Sequence, residues 1–271
     1  MTETSAPSSP SMPTRGQFRF LHRLRVRWAE VDMQQIVFNG HYLMYVDTAM
    51  AGYWRALALP YQDTMLALGG DLYVRKATLE YEGSARYDDA CDVGLRCVHI
   101  GNSSMRFQAA VFRGEQRLVH GELIYVFANP ATQSAQPVPD ALREVVLGFE
   151  AGQAMLDVQV QSGAGATEWQ ACARNRLGQM VASAQWQAVV GQAFQLDDLQ
   201  VLPAVRGGGI GRAVLQQLLD HARQQGAREV QMHAPRTAVG FFTCVGFSVV
   251  GDALAAATTG STTVAMRLRI D

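Results

Sequence analysis

Two stretches of this chain carry residue types at spacings that chemistry can use. Residues 25–57, RVRWAEVDMQQIVFNGHYLMYVDTAMAGYWRAL, begin like a strand, turn through a polar segment holding Asp32, and continue as an apolar and aromatic run. That run lasts about five helical turns at roughly 3.6 residues each. A carboxylate just ahead of a helix can serve as nucleophile or general base. The first-turn N–H groups at Asn39, Gly40 and His41 have no intrahelical partner and lie at the positive end of the helix dipole, so they can hold a developing oxyanion. The second stretch runs Val201-Leu202-Pro203-Ala204-Val205-Arg206-Gly207-Gly208-Gly209-Ile210-Gly211-Arg212 ahead of an amphipathic helix. A glycine-rich turn between strand and helix presents backbone N–H groups to an anion, and a diphosphate suits it.

Each candidate also has a structural reading. Most loop aspartates are turn or cap residues, and Asp32 alone would be read so. Asp47, on the apolar helix, is a second acid for the chemistry or a helix-face acid paired with an arginine. His41 can touch a substrate or close the helix start; nothing around it has metal-ligand spacing. Gln35, between Asp32 and the helix, can donate a side-chain hydrogen bond, and Glu30 orients the loop. Asp197 or Asp198 can be a base on the strand before the glycine loop or an exposed hairpin acid, and His233 has the same standing. The glycines taken alone also make plain turns. A dinucleotide fingerprint fits poorly, because Gly209-Ile210-Gly211 is followed by Arg212, Ala213 and Val214 without a third glycine.

The elements that must position these residues follow from length and pattern. At 271 residues the chain is long enough for two domains. Residues 18–28 alternate apolar and basic side chains and read as a strand. From Asn39 the positions Tyr42, Tyr45, Val46, Ala49, Met50, Tyr53, Trp54 and Leu57 recur at helical spacing, with Leu43 and Met44 widening the stripe, so the helix is expected to be buried on more than one side. Leu59-Pro60 ends it. No further helix of that quality is expected until residue 139. Instead come strand-like runs at 72–81, 91–100, 105–113 and 117–127, separated by Gly, Asp, Asn and Ser turns. Strand, long helix and β-meander together describe an α+β hotdog domain, a long helix wrapped by an antiparallel sheet. A short helix over 140–149 closes it.

The boundaries expected are a disordered tail over 1–16, rich in Ser, Pro and Thr and without a secretory h-region, a hotdog domain over 17–149, a linker at 150–154 and an α/β domain over 155–271. In that second half, 156–160 reads as a strand, 167–177 as a helix, 179–187 and 192–202 as a strand pair around Gly191, and Val214, Leu215, Leu218, Leu219 and Ala222 as the apolar face of a helix. Hydrophobic content of 48%, 17% charged residues and a net charge of -1 give no reason to expect nucleic acid or an acidic membrane as partner. Cys91, Cys97, Cys172 and Cys244 lie apart, without disulfide or zinc spacing, which suits a reducing cytoplasm. No run reaches the roughly 20 apolar residues of a membrane span.

Trp28-Ala29-Glu30-Val31-Asp32, then Ile36-Val37-Phe38 and Tyr42, Arg86-Tyr87-Asp88-Asp89, the turn Ile100 to Ser104 and the exit Pro137 to Pro139 resemble the 4-hydroxybenzoyl-CoA thioesterase family of hotdog acyl-CoA thioesterases, over roughly residues 18 to 145. The resemblance implies that Asp32 attacks the thioester carbonyl or activates water to do so, with a helix-start N–H at Asn39 or Gly40 polarising the oxygen. It also implies a homodimer or homotetramer with CoA sites at the interface. The family usually has Gly where Gln35 stands. A thiolate departs without acid help, so one carboxylate and an oxyanion donor can suffice.

Val201-x-Pro203 ahead of Arg206-x-x-Gly209-x-Gly211, with Gly246-Phe247 after the next strand and short helix, resembles the acetyl-CoA loop of GNAT-type N-acetyltransferases. Val201 and Arg206, Gly207, Gly208, Gly209, Ile210, Gly211 and Arg212 would then form the CoA site. Phe242 stands where that family commonly has a tyrosine acting as general acid, and phenylalanine has no proton to give. The segment ahead of the loop is short, so the helices that usually wall the amine site are reduced. The combined expectation is an acyl-CoA thioesterase fused to a GNAT-like domain, with acyl-CoA as substrate, acetyl-CoA as ligand, and no covalently bound cofactor or metal. The alternatives are an N-acetyltransferase with a hotdog oligomerisation module, or a thioesterase regulated by a non-catalytic CoA-sensing domain. A hotdog dehydratase lacks its histidine and acid pair.

Overall fold

Alternation of apolar and basic side chains produces strand β1 (Phe20–Arg25), which stops where the chain tightens into a 3-10 turn at Trp28–Glu30. The computed structural model describes residues 13–163, 165, 167–251 and 262–270. These fall into two units, one within Met1–Trp54 and Tyr61–Gln153, the other within Arg55–Pro60 and Ala154–Asp271.

In the first unit β1 is followed by helix α1 (Asn39–Ala56), short helix α2 (Tyr61–Ala67), strands β2 (Asp71–Tyr81), β3 (Ala90–Ile100), β4 (Ser104–Arg113) and β5 (Gln116–Ala128), and helix α3 (Asp140–Glu150). The strands form one antiparallel sheet in the order β1-β3-β4-β5-β2. Tyr42, Tyr45, Val46, Ala49, Met50, Tyr53 and Trp54 of α1 are buried. Tyr53 is the hub, its ring meeting Phe107 and Phe149 at 5.4 Å and Phe20 at 5.9 Å, all edge to face. Such pairs add about 0.5–1.5 kcal/mol each beyond the area they bury.

Three details differ from expectation. The sheet covers α1 on one side only: Leu43 and Met44 are 41% and 56% exposed, and Asp47, Thr48, Ala51 and Arg55 face outward with them. One five-stranded sheet cannot wrap a helix all round. Helix α2 was not expected, because seven residues after Pro60 are too few to display a periodic stripe. Residues 1–12 of the expected tail lie outside the described residues, but its last part is folded: Arg15 opens a 3-10 turn and donates from Nη2 to Asp92 Oδ2 at 2.8 Å.

The second unit has strands β6 (Leu156–Ser162), β7 (Glu168–Asn175), β8 (Met180–Val189) and β9 (Ala193–Val201), helix α4 (Ile210–Gln224), strand β10 (Glu229–Pro235), helix α5 (Val239–Val245), and strands β11 (Ser248–Val249) and β12 (Thr263–Arg269). The sheet order is β11-β12-β10-β9-β8-β7-β6, with β9 and β10 parallel and the other neighbours antiparallel. A parallel pair needs a crossover, and α4 supplies it. Val214, Leu215, Leu218, Leu219 and Ala222 of α4 are buried in one cluster with Trp186, Phe194, Leu196, Val230 and Met232. The helix expected over 167–177 is corrected to strand β7: Ala171, Ala173 and Asn175 are buried with period two, and β7 pairs with β6 and β8 on its two sides. Helix-favouring Ala, Arg and Glu yield there to two ladders of hydrogen bonds.

Glu150, at the end of α3, accepts the Tyr53 hydroxyl at 2.6 Å and the Cys97 N–H at 2.8 Å, the latter where β3 bulges between Cys97 and His99. Burial raises its carboxyl pKa, and these two donors with nearby Arg96 and Arg19 offset only part of that. An acid with a raised folded pKa favours folding most below its unfolded pKa, near 4.3, and loses that contribution as pH rises through the folded value. Glu150→Gln keeps an acceptor oxygen for both donors without the charge. We expect its thermal midpoint to exceed that of the wild type at pH 8 and the difference to shrink toward pH 4, as followed by circular dichroism.

Candidate active and CoA-binding sites

The loop carrying Asp32 is closed by backbone bonds on both sides. Val31 and Val37 form an antiparallel bridge, Asp32 N–H donates to Ile36 O at 2.9 Å, and Gln35 N–H returns to Asp32 O at 2.9 Å. The loop is braced from below by Glu30, which is 3% exposed. Its Oε2 accepts the Arg27 N–H at 2.8 Å and the Tyr45 hydroxyl at 2.7 Å, and its Oε1 accepts Arg27 Nε at 2.6 Å. Burial alone would raise the Glu30 pKa, but the Arg27 N–H, the Tyr45 hydroxyl and the Arg27 guanidinium together hold it below the usual carboxylate range. The Glu30 carbonyl accepts Phe38 N–H at 3.0 Å, so one residue spans both ends of the loop. The loop-orienting role read for Glu30 has this geometry.

Within that frame the half-buried Asp32 uses Oδ1 to accept the Gln34 N–H at 2.8 Å, while Oδ2 has no partner among the described residues. The turn reading and a chemical one are therefore compatible, since one oxygen fixes the turn and the other stays available. Gln35 is in the left-handed region at φ 61, a conformation that glycine adopts without strain. Asp47 is exposed on the outer face of α1; burial first, and the Asp47 charge after it, raise the Tyr125 hydroxyl pKa.

At the start of α1 the three expected donors separate. His41 N–H donates to Phe38 O at 2.9 Å, so it is removed from the set, and the His41 ring lies edge-on to Phe38. Asn39 and Gly40 N–H have no partner among the described residues. Both residues line a pocket of about 260 Å³ with Leu43, Ala77, Leu79 and Tyr81. Asp32 is not part of its lining. Residue order does not single out these β2 residues, because only pairing shows which strand passes the helix start; their signal in the sequence is the alternation Ala77, Leu79, Tyr81.

In the second unit, pairing of β9 with β10 runs only from Ala193↔Glu229 to Leu196↔Met232. Beyond it both strands continue, β9 to Val201 and β10 to Pro235, without pairing to one another. The register of β8 with β9 also shifts there, between Gln185 and Trp186, leaving Asp197 as the extra residue. The parted strands border a cavity of about 670 Å³ lined by Leu199 and Val201 on one side, Pro235, Thr237 and Ala238 on the other, and Phe241 and Phe242 of α5. Val205, Arg206, Gly207, Gly209, Ile210, Gly211 and Arg212 complete it; Gly208 does not line it, and its N–H is taken by Val205 O at 3.2 Å. Gly209, at the N-cap of α4, has φ 84, which a side chain would strain. The N–H groups of Gly207, Gly209, Ile210, Gly211 and Arg212 have no partner among the described residues and point from a helix start, the arrangement that binds phosphate oxygens.

Arg206 is partly committed, with Nε donating to Val201 O at 3.0 Å, while Arg212 is exposed. Phe242 is buried and lines the cavity, so no phenol stands there. Asp197 and Asp198 are exposed on β9 outside this cavity, Asp197 accepting Gln187 Nε2 at 3.3 Å, and His233 is exposed on β10. Among the described residues, no group of three or more His, Cys, Asp and Glu is placed to hold a metal, and no helix is long and apolar enough to cross a membrane.

Residues 34–120 match the model of the Thioesterase superfamily, and residues 166–270 match that of the Acetyltransferase (GNAT) domain. A protein described as a putative esterase of Aquifex aeolicus is 30% identical over 94 residues, which are 35% of this chain and 73% of the relative. Among solved structures, the PA5185 protein of Pseudomonas aeruginosa is 26% identical over 52% of this chain and 96% of its own, with a TM-score of 0.44. A thioesterase of Thermus thermophilus, complexed with coenzyme A and zinc, is 23% identical over 51% of this chain and 98% of its own, with a TM-score of 0.43. Proteins of both families take CoA thioesters as substrates rather than as tightly held cofactors. The chain thus belongs to the thioesterase superfamily through its hotdog unit, and its second unit is a GNAT-like α/β domain.

Proposed function

We propose that the hotdog unit hydrolyses acyl-CoA thioesters to the free acid and CoA, with Asp32 as nucleophile or general base. The observation that carries this reading is the pairing of a free Asp32 Oδ2, on a loop braced by Glu30, with the unpartnered Asn39 and Gly40 N–H groups at the start of α1. Attack on the carbonyl carbon, by Oδ2 or by a water that Oδ2 deprotonates, moves the carbonyl electrons onto oxygen, where an N–H at the helix start stabilises them. The tetrahedral species collapses with loss of CoA thiolate. In the nucleophilic route water then cleaves the mixed anhydride and regenerates Asp32. Asp32→Asn keeps an acceptor for Gln34 N–H and removes the reacting oxygen. Thiol release from a panel of acyl-CoAs should fall by roughly 10²–10⁴-fold, and unchanged hydrolysis would refute the assignment.

For the second unit we infer acetyl-CoA binding in the cavity between β9 and β10, with the diphosphate on the Arg206 to Arg212 loop. The lining offers two guanidinium groups and no carboxylate, imidazole or phenol. This favours the reading in which the unit binds acetyl-CoA as a sensor and transfers little; an amine acetyltransferase carried on a hotdog oligomerisation module is the other reading. A Cβ at Gly211 would meet Phe241 and Val201 at 3.4 Å, so a side chain there fits the fold but occupies the anion site. Calorimetry on the full chain should show acetyl-CoA binding that Gly211→Asp weakens at least about tenfold, near 1.4 kcal/mol. Acetyl transfer to an amine would favour the transferase reading.

The same proposal includes a homo-oligomer in a reducing cytoplasm. Strand β2 is an open sheet edge with Tyr73 and Val74 exposed, beside Leu43 and Met44 of α1, and such an edge is a template for a second chain. The Cys91 and Cys97 thiols are free and buried, pushed up to about 11 and about 12 by burial, so they stay protonated at neutral pH. Val74→Lys, at a position 54% exposed, should reduce the mass measured by light scattering. An unchanged mass would place any interface elsewhere.

A further inference from the structure

We propose that Trp28 and Tyr87, with the guanidinium groups of Arg27 and Arg86, form the surface of the hotdog unit that receives the adenine nucleotide end of an acyl-CoA. This rests on the thioesterase reading, which places the thioester at Asp32, and adds to it a nucleotide-binding subsite.

Two arginine-aromatic dipeptides, Arg27-Trp28 and Arg86-Tyr87, lie far apart in sequence and are brought together by the main chain. Val26 N–H donates to Asp89 O at 2.9 Å and Asp88 N–H donates to Val26 O at 3.1 Å, which lays the turn before β3 against the end of β1. The Trp28 and Tyr87 rings meet edge to face at 5.4 Å, yet they remain 74% and 54% exposed. Tyr42 and Tyr45 of α1 are buried and hydrogen-bonded, so core packing accounts for them. It does not account for Trp28 and Tyr87. Rings left in water forgo the gain of burial, and a neighbouring pair of them presents a surface on which a flat group can stack.

Charge selects which flat group. Arg86 is exposed and its guanidinium has no hydrogen-bond or ion-pair partner among the described residues; only its N–H is used, donating to Asp89 Oδ2 at 2.8 Å. Arg27 is exposed too and spends Nε and Nη2 on Glu30, which leaves Nη1. The acids beside Tyr87 are already matched, Asp88 by Arg25 at 3.1 Å and Asp89 by Arg113 at 2.8 Å. An aromatic surface flanked by two available guanidinium groups suits a base that carries phosphates, because any base has a face to stack and the guanidinium fork pairs with phosphate oxygens. The acyl group and the pantetheine amides of the same ligand carry no such charge. The reach agrees as well. Trp28 is four residues ahead of Asp32, at most about 14 Å away, and the pantetheine arm between thioester and diphosphate is about as long as four to five extended residues.

The test compares acyl-CoAs with the N-acetylcysteamine thioesters of the same acyl groups, which keep the reacting carbonyl and lack the nucleotide, on the full-length protein, Trp28→Ala and Arg86→Ala. The ratio of kcat/KM for the CoA ester to that for the short ester should fall at least about fivefold in each variant, the loss expected for one stacked base or one charged hydrogen bond. An unchanged ratio in both would overturn the proposal and leave the thioesterase reading standing. A surface used by a free nucleotide would leave the ratio unchanged, and one covered by a second copy of this chain would do so while Trp28→Ala lowers the mass measured by light scattering. A binding arm needs no turnover. In Asp32→Asn combined with Gly211→Asp, which disables the second unit's anion site, calorimetry should show CoA binding that adding Trp28→Ala weakens at least about fivefold; absent or unchanged binding would overturn the proposal. If the wild type hydrolyses no thioester, the thioesterase reading falls and this arm alone decides the nucleotide surface. Far-UV circular dichroism confirms that each variant is folded, and because Trp28 and Arg86 lie on different turns, loss of one variant to misfolding leaves the other decisive.

Discussion

The buried carboxylate of Glu30 is the interaction on which the first unit's site depends. Taking a charge out of water is costly, and it is tolerated here because four donors reach it from Arg27 and Tyr45. Those donors come from the strand end before the loop and from the middle of the helix after it. The Glu30 carbonyl then fixes Phe38 at the helix entry. Without this tie the chain from Trp28 to Phe38 would have to rely on its own turn bonds, and the separation between Asp32 and the start of α1 would vary. Catalytic geometry tolerates little such variation.

In the second unit the corresponding constraint is a pairing that stops. Two parallel strands that remained bonded to their ends would close the space between Leu199 and Pro235 and leave nowhere for a ligand. The extra residue at Asp197 shifts β9 against β8 at the level where β10 departs. Divergence at that level sets the cavity beside the first turn of α4, where unpaired N–H groups are concentrated. Binding groups and space thus arise from one departure from regular sheet geometry.

Much of this was legible from residue order, and the failures have physical causes. Helix α1 and the four strands β2 to β5 were read nearly to their ends, because long apolar stripes and Gly, Asn and Asp turns are local signals. The glycine loop was read for the same reason, and its residues other than Gly208 line one cavity. Strand β7 looks helical in sequence because Ala, Arg and Glu carry helical preference, while the two neighbouring strands that overrule it lie elsewhere in the chain. The pocket wall at Ala77, Leu79 and Tyr81, and the far wall at Pro235, Thr237 and Phe241, depend on which element passes which. The His41 N–H, free in a plain helix start, is taken here by an i to i−3 bond to Phe38 O, a detail of the main chain that residue types do not encode.

Gln35 shows how such a loop constrains the sequences that can encode it. Its left-handed backbone costs roughly 1–2 kcal/mol for an ordinary L-residue, and the closure around Val31 and Val37 is what keeps it there. Tolerance at this position should therefore follow backbone preference rather than chemistry: glycine is unstrained, asparagine and aspartate are accommodated, and valine or isoleucine are excluded even though the side chain itself is exposed to solvent. An exposed position with a narrow substitution spectrum would look, in a set of related chains, like a functional residue. Here that narrowness would originate in the main chain.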